Sequence, residues 1–169
     1  MNIVVTDPNG GGSATAAFTF AAVNAVSPNT GSVQGNYPVV ITGAGFASGA
    51  TVTINDQTAA STFQSSTQMT ATVPASQTTG AVTVTVGNPG GDAVGLAGAF
   101  TYEPTISDVS PSSGPKLQGT SITISGSGFA SGARLTMQPT GCTSCTPTDI
   151  TGTATITSTS ISATTPSDN

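Results

Sequence analysis

The sequence is poor in charged side chains, which make up only 5% of its 169 residues. It has no histidine and no tryptophan, and its two basic residues stand against seven acidic ones, so the net charge is −5. Nucleic acids and anionic membrane surfaces are bound through basic patches, and two basic residues cannot form one. We therefore expect neither a nucleic-acid partner nor a membrane partner.

Long apolar runs are also missing, since no stretch approaches the roughly 20 apolar residues of a membrane-spanning helix. The opening MNIVVTDPNGG lacks the basic start and the long apolar core of a secretion signal. Serine and threonine instead supply 53 residues. Polarity without charge favours an extracellular or cell-surface protein, so we predict that location, with any secretion signal outside this sequence.

Catalytic residues are scarce. Acid–base catalysis needs histidine or paired carboxylates in a pocket, whereas the acidic residues here are scattered. The Gly-rich stretches at 7–13 and 88–95 do not have phosphate-loop spacing. Calcium binding by Asp7, Asn9 or Asp92 is an alternative, but it has few carboxylates behind it. We predict a protein that is not an enzyme and that holds no cofactor or metal.

The two cysteines, Cys142 and Cys145, form a single C-x-x-C in TGCTSCTPT. A tetrahedral zinc site needs further ligands, and a thioredoxin-like motif should open a helix, which the surrounding sequence does not predict. The preferred interpretation is a small disulfide within a loop, formed in an oxidising compartment. Free thiols remain the other alternative.

One six-residue stretch, GFASGA, occurs twice, at 45–50 and at 128–133. The match extends on both sides, because VNAVSPNTG (23–31) aligns with ISDVSPSSG (106–114) and PVVITGAGFASGATVTI (38–54) aligns with SITISGSGFASGARLTM (121–137). A period of 83 residues indicates a tandem array of similar modules. The cysteine pair falls in a longer loop that only the second copy has.

Apolar residues alternate with threonine and serine throughout both copies, which is the period of a half-buried strand. Glycine and proline interrupt this pattern every eight to twelve residues or so, as in a β-sandwich. We predict an all-β chain of tandem immunoglobulin-like sandwiches, each with seven short strands, and almost no helix. The expected core comprises Val39, Ile41, Phe46, Val52, Ile54, Phe63, Val82, Val84, Val86 and Phe100, then Ile122, Ile124, Phe129, Leu135, Met137, Ile161 and Ala163.

The motifs of both copies resemble the IPT/TIG domain, an immunoglobulin-like module. The shared pattern is SP-x-x-G, G-x-G-F before a strand, Val-Pro, Gly-Ala-Val before V-x-V, and a closing F-x-Y. The resemblance implies early-strand turns at Ser27-Pro28 and Ser110-Pro111, and tight glycine turns at 43–45 and 126–128 beside a core phenylalanine. The residues in these structural positions are Pro28, Gly43, Gly45, Phe46, Pro111, Gly126, Gly128 and Phe129.

Modules of this family occur in transcription factors, in receptor ectodomains, beside polysaccharide-degrading enzymes and in surface arrays, so the resemblance does not fix a function. The missing basic loops disfavour the DNA-binding role. A glycan ligand is compatible with the family, although sugar binding commonly uses exposed aromatic rings. Tyr102 closes the last strand, so we expect it to pack in the core.

The frame of the repeats is unusual. IVVTDPNGG at the start is similar to VTVGNPGG (84–91), and AAFTF (16–20) is similar to GAFTY (98–102). We therefore expect residues 1–21 to be the last two strands of a module, 22–103 a complete module, and 104–169 a module lacking those two strands. A lone hairpin and an incomplete sandwich are each marginal in water, because both expose strand edges.

Two functions are consistent with this frame. The preferred one is a structural subunit of a surface fibre, in which copies of the chain join head to tail by strand complementation. The residues predicted to enter the neighbouring copy are Ile3, Val5, Phe18 and Phe20. The alternative is a spacer, or a glycan- or protein-binding module, from a longer secreted adhesin, phage fibre or polysaccharide-active enzyme.

Overall fold

The computed structural model describes residues 2–6, 8, 13–17, 19–91, 93–115, 119–138 and 146–167. Strands account for nearly all of its regular structure, and the helical part of the described residues is a three-residue 3-10 turn, Thr151–Thr153. The prediction of an all-β chain with almost no helix is confirmed.

The strands fall into a leading hairpin and two repeats. The hairpin consists of β1 (Asn2–Thr6) and β2 (Ser13–Ala17). The strands of the first repeat (residues 22–103) are β3 (Ala22–Ser27), β4 (Thr30–Ser32), β5 (Pro38–Ala44), β6 (Thr51–Ile54), β7 (Gln57–Ala59), β8 (Ser61–Ser65), β9 (Gln68–Thr72), β10 (Gly80–Gly87) and β11 (Ala93–Glu103). The strands of the second repeat (residues 104–169) are β12 (Thr105–Ser110), β13 (Ser121–Ser127), β14 (Thr136–Met137), β15 (Thr148–Asp149), β16 (Thr155–Ile156) and β17 (Ser160–Thr164).

The first repeat is a two-sheet sandwich. One sheet has the order β3-β5-β9-β8 and the other has the order β4-β11-β10-β6-β7. Nine strands replace the predicted seven, because the three-residue strands β4 and β7 join the second sheet beside β11 and β6. The period-two pattern therefore predicted the longer strands and missed the two short ones.

Among its described residues, the second repeat copies the first sheet completely and the second sheet only in part. Its four-stranded sheet has the order β12-β13-β17-β16, which matches β3-β5-β9-β8 position for position. Even the irregularity is repeated, since the register shifts between Val23 and Ala25 in one repeat and between Ile106 and Asp108 in the other. The second sheet is represented among the described residues by β14 and β15, the counterparts of β6 and β7.

The repeated GFASGA stretch forms the same tight turn in both copies. Gly45 and Gly128 have φ angles of 66° and 74°, a left-handed conformation that glycine adopts without steric cost. Gly43 lies earlier, inside β5, and it is glycine for a different reason from the predicted turn. A Cβ atom there would overlap the carbonyl oxygen of Ala22 and the ring of Phe46.

Gly126, Phe129 and the carbonyl oxygen of Thr105 repeat this arrangement in β13. Phe46 and Phe129 are both buried beside their turns. The two prolines of the Ser-Pro pairs, Pro28 and Pro111, follow the last residues of β3 and β12 through cis peptide bonds. The repeated GFASGA stretch thus forms a turn and supplies the aromatic side chain that packs against it.

Most of the predicted core residues are buried, although Phe63, Val82 and Leu135 are only half-buried. Met137 is a correction, because 39% of its surface is exposed. Met137 lines the same cavity as the buried Ile122. What differs is that the described part of the second repeat provides no counterpart of β10 beside β14.

By their contacts the residues group into two compact units, Met1–Asn29 with Tyr37–Val73 and Val82–Phe100, and Thr30–Asn36 with Pro74–Ala81 and Thr101–Asn169. The predicted domain boundaries, after residues 21 and 103, remain predictions.

Candidate functional site: an exposed hairpin and an open sheet

The hairpin β1–β2 is a two-stranded sheet of its own, and it exposes apolar side chains. Ile3 is paired with Ala16, and Val5 is paired with Ala14 across the hairpin. Ile3 is 53% exposed, Val5 is 66% exposed and Phe20, three residues after β2, is 64% exposed. A sheet of two strands has no second layer to bury these side chains, so the hairpin presents them to solvent.

The second repeat exposes apolar side chains at positions that the first repeat buries. Val26 on β3 is 7% exposed, whereas its counterpart Val109 on β12 is 36% exposed. Ile54 on β6 is fully buried, whereas its counterpart Met137 on β14 is 39% exposed. The residue types are similar, and β12 and β14 keep the pairings that β3 makes with β5 and β6 with β7, but among the described residues β14 has no second neighbour like β10.

In the first repeat β10 lies beside β6 in the same sheet, and its side chains help to bury those of β6. Val84 lies opposite Ile54 in the antiparallel register, and Val86 lies opposite Val52. All four side chains are at most 1% exposed. The strand next to β10 in the sheet is β11, which carries the two aromatic residues Phe100 and Tyr102.

Tyr102 shows how tightly β11 is held. Its ring is buried, and its hydroxyl donates a hydrogen bond to the carbonyl oxygen of Pro74 at 2.8 Å. Phe100 is fully buried, with its ring centroid 6.3 Å from that of Tyr37. Tyr102 is therefore a packing residue, as its position at the end of the last strand predicted.

A cavity of about 390 Å³ lies at the corresponding place in the second repeat. Its walls include Val109, Pro111, Thr120, Ile122, Met137 and Pro166. By the repeat alignment these residues are the counterparts of Val26, Pro28, Tyr37, Val39, Ile54 and Pro74 in the first repeat. We call the exposed surface of Val109 and Met137, together with this cavity, the open face.

The strand at the edge of the open face is fixed by a small polar cluster. Arg134 Nε donates to Asp149 Oδ2 at 2.8 Å, and the Thr151 backbone N–H donates to Asp149 Oδ1 at 2.9 Å. The Leu135 N–H donates to Thr151 Oγ1 at 2.8 Å. The hydrogen bonds from Thr151 and then the Arg134 guanidinium lower the pKa of Asp149 from 3.8 to about 2. The cluster joins β14 to the segment around β15 and holds its edge in place.

Several predicted site residues lie outside the described residues: Cys142, Cys145, Phe18, Asp7, Asn9 and Asp92. The disulfide therefore remains a prediction. Where the structure describes the chain, no three histidine, cysteine or acidic side chains come together as a metal site. Those same residues contain no helix long and apolar enough to cross a membrane.

The cavity is the part of the site that the sequence did not indicate. Most of its lining residues have an identical or similar counterpart in the first repeat, so they do not stand out in the sequence. The one visible signal is Thr120, which stands where the first repeat has Tyr37 and removes a ring from this end of the sandwich.

The sequence-family model of the IPT/TIG domain matches this chain at residues 21–102 and again at residues 104–169. The chain belongs to the IPT/TIG domain family. The tandem arrangement that the repeated letters predicted is thus an arrangement of two IPT/TIG domains, and the resemblance noted from the motifs is confirmed.

Solved structures similar to this IPT/TIG chain include parts of larger surface proteins. The full extracellular region of plexin A4 aligns with 96% of this chain and 14% of its own, at 18% identity and a TM-score of 0.47. The surface glycan-binding protein PbSGBP-B from Prevotella bryantii aligns over 90% of this chain and 38% of its own, at 14% identity and a TM-score of 0.45.

An auxiliary nutrient binding protein from Bacteroides thetaiotaomicron aligns over 51% of this chain and 21% of its own, at 20% identity and a TM-score of 0.41. The IPT/TIG chain therefore spans well under half the length of each of these structures. At such identities no binding property is carried over from them. Among curated proteins, none matches this chain.

Proposed function

We propose that this IPT/TIG protein is a non-enzymatic, extracellular structural subunit whose copies join head to tail into a surface fibre. In each joint, the hairpin β1–β2 of one copy covers the open face of the next copy. The observation that carries the proposal is the match between the two surfaces. The hairpin is similar in sequence to β10 and β11, the strands that lie at the equivalent place in the first repeat. Both surfaces expose apolar side chains.

Burial supplies the driving force for such a joint. Ile3, Val5 and Phe20 are 53–66% exposed, so burying what remains of each contributes about 0.8–2 kcal/mol. Val109 and Met137 lose their remaining exposure at the same time. Backbone hydrogen bonds along β14 add to this on the side where no described strand pairs with it, because strand addition satisfies the donors and acceptors of a sheet edge.

Head-to-tail joining also explains why the product is a fibre and not a closed dimer. The donating surface and the accepting surface are different parts of the chain, so each copy that accepts a hairpin still offers its own. Such heterologous contacts propagate without limit unless a rotation closes them into a ring.

The proposal is tested by size-exclusion chromatography and negative-stain electron microscopy of the purified chain over a range of concentrations. We expect polymers that lengthen with concentration, and we expect removal of residues 1–20 to abolish them. A matched control is the hairpin with Ile3→Ser and Val5→Ser, which keeps the length of the chain and removes the apolar contact.

A chain that stays monomeric and folded at high concentration would refute the proposal. In that case the hairpin and the open face belong to neighbouring modules of one longer polypeptide, and the spacer or glycan-binding module is the better description. A selective hit on a glycan array would then identify the ligand.

A further inference from the structure

We infer that the joint has one defined register, in which β1 lies antiparallel to β14 of the next copy and Phe20 fills the cavity of the open face. The inference rests on the proposed function and adds to it which residues meet. The partner is a second copy of this chain.

The register follows from the first repeat. There, Val84, Thr85 and Val86 on β10 lie opposite Ile54, Thr53 and Val52 on β6. The sequence similarity places Ile3, Val4 and Val5 on the first three positions, and the repeat alignment places Met137, Thr136 and Leu135 on the last three.

Three cross-strand pairs result between the two copies. Ile3 meets Met137 and Val5 meets Leu135 on the inner side of the strands, while Val4 meets Thr136 on the outer side. A slip of one residue would turn Ile3 and Val5 outward, so burial of these two side chains selects this register.

The cavity accounts for Phe20. In the first repeat Tyr102 stands at the equivalent place, buried and hydrogen-bonded to the carbonyl oxygen of Pro74. Phe20 is the counterpart of Tyr102, and Pro166, the counterpart of Pro74, lines the cavity. Phe20 brings the ring without the hydroxyl, so it fills the space and leaves out the hydrogen bond.

The far edge of the hairpin also finds a partner. In the first repeat β4 runs parallel to the end of β11, with Thr30, Gly31 and Ser32 beside Thr101, Tyr102 and Glu103. Ser113, Gly114 and Pro115, the corresponding residues of the second repeat, belong to no strand and line the cavity. They lie where they can pair with the residues around Phe20 of the incoming hairpin.

Site-directed cross-linking tests the register. One chain carries Val4→Cys and a second chain carries Thr136→Cys, both in a background with Cys142→Ser and Cys145→Ser. Because the two new cysteines are on different chains, any disulfide between them is intermolecular. We expect a cross-linked dimer that contains both peptides, identified by mass spectrometry after mild oxidation.

The matched control replaces Val4→Cys with Thr6→Cys, which lies two residues along the same side of β1. A two-residue offset places the Cα atoms beyond the roughly 7 Å that a disulfide can span, so this pair should not cross-link. Cross-linking of Thr6→Cys in preference to Val4→Cys would overturn the inferred register.

Two substitutions test the cavity. Phe20→Ala should raise the concentration needed for assembly by about 100-fold or more, as expected for an aromatic side chain lost from a packed site. Phe20→Tyr should lower that concentration several-fold, because the added hydroxyl can donate a hydrogen bond to the carbonyl oxygen of Pro166. The melting of the unassembled chain is measured for both variants, so that a change in its own stability is separated from a change in assembly. Equal weakening by both substitutions would refute the role of the cavity.

The possible outcomes distinguish failure of the inferred register from failure of head-to-tail assembly itself. Polymers that form but fail to cross-link at Val4 and Thr136 overturn this register and leave head-to-tail assembly in place. Absence of polymers at every concentration, before any cysteine is introduced, overturns the proposed function itself.

Discussion

Ile54 and Met137 occupy the same position in two copies of one sandwich, and truncating each to alanine measures how much the cover of β10 contributes. Ile54 is fully buried, so Ile54→Ala should cost about 2–5 kcal/mol in the free energy of unfolding of the first repeat. For a domain of this size that cost lowers the melting temperature by about 8 °C or more. Met137 is 39% exposed, so Met137→Ala should change stability by only about 0.5 kcal/mol in the unassembled chain.

The assay can follow the first repeat alone. The sequence has two tyrosines and no tryptophan, and both Tyr37 and Tyr102 lie in the first repeat. Tyrosine fluorescence therefore reports the effect of Ile54→Ala, whereas far-ultraviolet circular dichroism reports both repeats. The measurements use the chain without residues 1–20, so that assembly does not contribute. A loss of 2 kcal/mol or more from Met137→Ala in that chain would refute the open face.

Two further predictions concern the second repeat and are measured by thermal unfolding. Gly126→Ala should strongly destabilise the second repeat, because the new Cβ overlaps the backbone and the Phe129 ring. In the control, Gly152→Ala, the new Cβ meets no atom within 4 Å, so little effect is expected. Equal effects of the two substitutions would contradict the packing. Because the folded pKa of Asp149 is below its ordinary value, its contribution is present above about pH 4 and is lost as the pH falls towards about 2. Asp149→Asn should flatten the pH dependence of stability over that interval, and an unchanged slope would contradict the assignment.

Much of the fold could be predicted from the sequence, because local patterns of residue types determine the strands of the sandwich. Alternation placed Ile41 and Val84 on the inner side of their strands, since a strand has a period of two. The glycine turn was implied by the resemblance to the IPT/TIG motifs, and Gly45 adopts a backbone conformation there that side chains disfavour. Both features depend on residues that are close together in the sequence, so a short stretch of sequence is enough to indicate them.

What the sequence could not predict depends on which strands lie beside each other. Met137 has the alternation of a core residue, and its exposure follows only from the strands next to β14. The cavity beside Pro166 has the same origin, since no strand among the described residues lies over its walls. Strands β4 and β7 were missed because three residues are too few to establish a period.

The parallel pairing of β4 with the end of β11 has a mechanical consequence. A hairpin that is bonded along both of its edges cannot be peeled away from one free side. Tension between subunits would load the ladder hydrogen bonds on both flanks together, in shear, so that many must break in a single event. If the chain assembles as proposed, such a joint would resist sustained pulling better than its equilibrium affinity alone implies.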